Sequence, residues 1–126
     1  MIIGTDEDKK LREVTTLSIE HRNNIIHFLQ GAVYCWCNLN SSEWFSARDF
    51  LGNDNRDWTG TPLMVLYNNH IQNGKSKEDA FIEAGKEAGW LLKNVISSDK
   101  RKFETKREDQ IRKYRWSLFQ KSSSKL

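Results

Sequence analysis

One proline, two cysteines and no long apolar run are what this 126-residue chain is poor in. A membrane-spanning helix needs about 18 or more consecutive apolar residues, and no stretch approaches that. The opening MIIGTDEDKKLREV has no apolar signal core, so the sequence predicts a cytoplasmic protein with no membrane contact. Cys35 and Cys37 do not make a disulfide framework, and a chain of this size can bury a core without one. Their C-W-C spacing also differs from the C-x-x-C of a zinc knuckle. On a helix, residues two apart point to different sides, so even with His21 and His27 nearby the reading is two buried free thiols and no metal. There is no glycine-rich phosphate loop, nucleophile elbow or H-E-x-x-H pair, and no cofactor is implied.

What the chain does have is charge asymmetry. Ten of its twenty lysines and arginines lie from Ser98 onward against four carboxylates, a surplus of +6, which leaves −3 for the first 97 residues. An acidic body with a basic end points to a polyanionic partner or a basic tail. Five tryptophans are spread along the chain and read as core. With no internal repeat, the expectation is a single domain over 1–126, frayed at 1–15 and 120–126 and ordered from Thr16 to Phe119.

Within that frame, 16–57 reads as a helical part and 58–119 as a second part. Ile25, Leu29, Val33 and Trp36, with Phe28 and Ala32, repeat every three to four residues and predict a helix from Ile19 to about Asn38. Residues 31–50 also admit a hairpin, because AVYCWCN is rich in β-formers and EWFSARDF can return beside it. Ser46 and Asp49 suggest a short capped helix ending at Gly52. Thr61 and Pro62 open another that stops near Asn73-Gly74, and Ser76 caps the next. There Phe81, Ala84, Ala88, Leu91, Leu92 and Val95 form a stripe. Gly85 and Gly89 interrupt it, which implies either close packing or two helices joined near Gly85.

In IRKYRWSLF, Tyr114, Trp116 and Leu118 alternate with Lys113, Arg115 and Ser117, a strand with one buried face. Returning through Glu108-Asp109, it pairs Phe103 with Tyr114 and Glu104 with Lys113. Lys102, Lys106, Lys113 and Arg115 then face outward.

Three stretches, WTGTPLMVLY, AGWLLKNV and RKYRWSL, make residues 58–118 resemble a winged helix-turn-helix domain of the kind appended to phage and plasmid helicase-primases. The resemblance implies a mainly α (α+β) fold in which a helical N-terminal half precedes three helices and a basic β-hairpin. It also implies a recognition helix over Lys86 to Ser97, a wing over Arg101 to Trp116, and an origin in a phage or mobile element. Read from the residues alone, the inward stripe leaves Lys86, Trp90, Lys93, Asn94 and Ser97 on the open side of that helix. Asn94 suits an adenine edge, whereas Lys93 and the wing cations Arg101, Lys102, Lys106, Lys113 and Arg115 suit phosphates. Duplex DNA is the expected partner, and no catalytic residue is assigned.

Two other functions stay open. Glu104-Thr105-Lys106 with Asp99 resembles, in residue type, the carboxylates and lysine of metal-dependent restriction-type nucleases. Alternatively the acidic half grips another protein, with Glu43, Asp49, Asp54 and Asp57 near Trp44 and Trp58. The final Ser124-Lys125-Leu126 matches a peroxisomal address that only a eukaryotic import receptor reads.

Overall fold

Ser18 opens the first long helix by accepting a hydrogen bond from the backbone N–H of His21 at 3.1 Å. In the computed structural model, which describes residues 1–40, 42–51 and 57–117, the chain begins with strand β1 (Ile2–Ile3) and the helical turn α1 (Asp6–Lys9). The long helix α2 (Ile19–Leu39) and the short α3 (Ala47–Phe50) follow. Every fourth residue of α2, Ile25, Leu29, Val33 and Cys37, is buried. That stripe resolves the ambiguity over 31–50 in favour of helix: Val33 and Cys37 extend the buried row, and burial outweighs the β preference of AVYCWCN. Of the proposed return strand only Phe45 pairs, in an isolated bridge to Tyr114.

Trp58, Thr61, Pro62 and Leu63 form tight turns that lead into α4 (Met64–Gln72), and Gly74 ends the connection at φ +90, a conformation glycine adopts without strain. Ser76 then caps α5 (Lys77–Ser98), which is a single helix. The alternative break near Gly85 is absent, so between Pro62 and the hairpin there are two helices, not the expected three. Nor do the glycines serve close packing: a Cβ added at Gly85 or Gly89 meets nothing within 4 Å. Helix α5 is the spine of the fold, packed against both α4 and α2. It buries Ala84, Ala88, Leu91, Leu92 and Val95 as predicted, together with Ala80, Ile96 and the carboxylate-bearing Glu87, which pairs with His70 of α4.

Strands β2 (Phe103–Glu108) and β3 (Ile111–Trp116) form the hairpin, and β1 adds to β2 in parallel, giving a three-stranded sheet in the order β1-β2-β3. The architecture is α+β. Asp109 and Gln110, at φ 52 and 64, make the turn; two left-handed residues match the twist of the strands they join. The register therefore runs Phe103 to Trp116 and Glu104 to Arg115, two residues along from the expected pairing. Because side chains alternate with period two, a slip of two preserves the faces. Phe103 and Tyr114 remain inward and buried, and Trp116 packs on the same core. Phe45, stacked among Trp36, Phe50, Phe103 and Tyr114, joins the sheet to the helices.

The first fifteen residues, expected to fray, are instead built in. Ile2 and Val14 are buried. The Met1 ammonium donates to the carbonyls of Ile96, Asp99 and Arg101 at 2.6 to 2.7 Å. No local pattern signals this, because β1 is two residues long and its partner lies some hundred positions away. The expected helix end at Gly52, the inward Leu118, the frayed 120–126 and the terminal Ser124-Lys125-Leu126 lie outside the described residues. No helix among the described residues is long and apolar enough to cross a membrane.

Candidate nucleic-acid interface

The hairpin's alternation sorts its charges onto two faces. Glu104, Lys106 and Glu108 of β2 share the outer face with Lys113 and Arg115 of β3, as expected, and there the charges close on themselves. Arg115 Nε donates to Glu104 at 2.9 Å, and Glu108 accepts from Lys113 at 2.8 Å and pairs with Lys106 at 3.2 Å. Hydrogen bonds from Lys113 and Lys106 hold the Glu108 carboxyl below its ordinary range. Trp44 covers part of this face, with the Lys106 ammonium 4.4 Å and the Arg115 guanidinium 4.5 Å from its ring centroid. Trp44 is thereby engaged with the hairpin and Trp58 is buried, while Asp54, one of the acidic residues expected near them, lies outside the described residues.

At the hairpin's base, Arg101 is held in place. It donates twice to Asp99, at 2.9 and 2.8 Å, and its guanidinium lies over Tyr34, Phe103 and Trp116. Burial pushes the Asp99 carboxyl up, but hydrogen bonds from Arg101 and from Gln30 outweigh it and hold the group at about 2. Arg101 thus has a structural role in addition to its charge. Lys102 lies just beyond it, half-buried, with its carbonyl accepting from Ser117 N–H at 2.8 Å.

The expected open side of α5 is in part covered by the N-terminal segment. Arg12 stacks over Trp90 at 5.3 Å, and the Asn94 side-chain amide donates to the carbonyls of Arg12 and Trp90 at 3.2 and 3.0 Å. Asn94 is therefore engaged within the chain and does not present a free amide to a base edge. Lys86 is exposed and pairs with Glu83 one turn earlier, and Ser97 is half-buried. Lys93 is half-buried; burial lowers its pKa, Arg112 adds repulsion, and Asp8 and Glu7 oppose both.

That last environment shows a cluster the residue pattern alone did not single out. Arg107 and Arg112 stand opposite each other beside the turn, on the same face as Tyr114, and Lys93 of α5 lies close enough to feel both. The alternation of β3 contained the signal, since Arg112 falls in step with Tyr114 rather than with Lys113. Arg112 donates to Asp8 at 2.9 Å and to the Thr105 hydroxyl at 3.3 Å. Nothing in the sequence pointed to Asp8.

Each member of the nuclease set has a partner of its own. Asp99 is committed to Arg101 and Gln30, Glu104 to Arg115, and Lys106 to Glu108 and Trp44. No group of three or more His, Cys, Asp or Glu among the described residues is placed to hold a metal. Of the two thiols expected to be buried, Cys37 is, and Cys35, two residues away on α2, is exposed. Among the described residues, the only carboxylate lining the depression between Trp58, Met64, Tyr67 and Phe81 is that of Asp57. Comparison with protein-family models, with curated proteins and with solved structures finds no match to this chain.

Proposed function

We propose that this chain binds nucleic acid, and duplex DNA in preference to other forms, by clamping phosphates with its basic hairpin in the manner of a winged-helix wing. One observation carries the reading: the positive surplus outlasts the internal pairing. Between Lys100 and Ser117 the hairpin holds eight lysines and arginines against Glu104, Glu108 and Asp109, a surplus of +5. Among the described residues Lys93, Lys100, Lys102 and Arg107 have no ion-pair partner within 4 Å. Cations left over on one end of an acidic body attract a polyanion and gain affinity by releasing its counterions. The division of labour differs from the one the sequence suggested. Phosphate contact belongs first to the hairpin's unpaired cations, and Trp90 and Asn94 of α5 lie behind the N-terminal segment.

Titrating the protein with labelled duplex DNA, single-stranded DNA and RNA at low and at physiological salt tests this. Duplex DNA is expected to bind most tightly, with log K falling by about 0.9 per unit of log salt for each phosphate neutralised. No cleavage is expected with Mg²⁺ or Mn²⁺. A protein with no salt-dependent affinity for any of the three is not a nucleic-acid binder, and its basic end then serves a protein partner.

A further inference from the structure

Between the buried anchors Ile2 and Val14, the chain crosses the basic tip of the hairpin as a short acidic turn. The turn α1 contains Asp6, Glu7 and Asp8 in sequence and buries none of its residues. It is closed locally by a capping box in which Thr5 and Asp8 bond each other's backbone N–H, at 3.1 and 3.2 Å. Gly4 has no room for a side chain, since a Cβ there comes within 2.7 Å of the Asp8 carboxylate. Asp8 bonds Arg112, 2.9 Å away, and the charges of both are felt at Lys93 of α5.

A carboxylate held against a guanidinium beside a lysine and a second arginine occupies the place a phosphate oxygen would take. We infer that Lys93, Arg107 and Arg112 form a phosphodiester-binding site and that the Asp6–Asp8 turn is its internal occupant, displaced when nucleic acid binds. The inference rests on the nucleic-acid reading above and names the site and its control.

The energetics permit displacement. The Asp8–Arg112 pair is partly solvated, with side-chain exposures of 29% and 21%, so solvent screens part of its attraction. Because α1 buries nothing, lifting it leaves no cavity, while Ile2 and Val14 keep the segment attached at both ends. A phosphate backbone offers several charges where the turn offers one direct contact. The tethered carboxylate is therefore a competitor that raises the threshold for binding without abolishing it, and it discriminates against isolated small anions.

The test compares the parent chain with Glu7→Gln/Asp8→Asn, which keeps an amide oxygen to cap Thr5, and with Glu20→Gln/Glu43→Gln, which changes net charge equally at side chains that form no ion pair with Lys93, Arg107 or Arg112. Affinity for a short labelled duplex DNA is measured for all three. Hydrogen exchange of the amides of Asp8, Lys9 and Lys10, bonded within the turn, is followed with and without DNA. Neutralising the turn is expected to tighten binding about fivefold, the worth of a surface ion pair, while the matched control changes it less than about twofold. DNA is expected to speed exchange in the turn of the parent protein. Equal tightening in both variants, or a turn that stays protected when DNA is bound, overturns this inference and leaves DNA binding standing. No binding of duplex DNA by any of the three overturns both.

Discussion

On the outer face of the hairpin, Glu104 and Glu108 neutralise Arg115 and Lys113 across sequence separations of 11 and 5 residues, so those charges are balanced by the element that carries them. At its tip, the partner of Arg112 is Asp8, 104 residues away. The two regions look alike in sequence, alternating cations and carboxylates, but they differ in what it takes to free a cation. An outer-face lysine has its glutamate within the same hairpin, so the two stay near each other whether or not the N-terminal turn moves. A tip arginine is freed when an attached turn lifts. Charge that a distant segment balances is charge that a ligand can compete for.

The largest effect comes from removing what both faces stand on. Tyr114, 1% exposed, packs against Phe45 beneath the hairpin. Tyr114→Ala is expected to lower stability by about 3–5 kcal/mol, as for other large aromatic truncations. Chemical denaturation measures the loss, and both faces should release DNA together.

A smaller break falls at the hairpin's base, where Asp99 ties Gln30 of α2 to Arg101. Its carboxyl is held at about 2 against an ordinary 3.8. A depressed carboxylate stabilises the fold fully above its unfolded pKa, and the contribution fades as pH falls from about 4 through about 2. Asp99→Asn is expected to cost on the order of 1–2 kcal/mol at neutral pH, a few tenths at about pH 2 and nothing well below it, a convergence that denaturation at several pH values reads directly.

The smallest effect is a control that touches neither face. Gly85 and Gly89 lie in the interior of α5 with open space where a Cβ would go. Alanine at each should raise stability by about 0.5–1 kcal/mol, seen as a higher melting temperature, with DNA affinity unchanged. A loss of affinity would mean that the bare α5 surface at these glycines itself touches DNA.

Much of this fold was legible. The i, i+4 stripes of α2 and α5, the serine cap at Ser76 and the alternation of β3 are local patterns that the fold keeps. The hairpin faces also came out correctly although the register was two residues off, because period two forgives an even slip. Three things did not show in the sequence, for physical reasons. Gly85 suggested a break, yet Ala84, Ala88 and Leu91 bury one uninterrupted row that outweighs the glycine's intrinsic cost. β1 is too short to carry a pattern. Asp8 meets Arg112 only because β1 and Val14 pin the ends of the segment between them, a tertiary fact with no local trace. Of the candidate site, the basic hairpin was visible in the sequence, and which of its cations pair within the chain was not.

Availability is the central claim, and the salt dependence of duplex binding measures it. Two double variants, each removing two cations, are compared with the parent: Lys93→Ala/Arg107→Ala at and beside the tip and Lys113→Ala/Arg115→Ala on the outer face. The tip variant is expected to flatten the slope of log K against log salt by about 2, near 0.9 for each phosphate no longer neutralised, and the outer-face variant by less than about 1. Equal flattening by the two, or a greater change on the outer face, would contradict the account, because cations already paired within the hairpin would then bind as readily as those without an ion-pair partner at the tip.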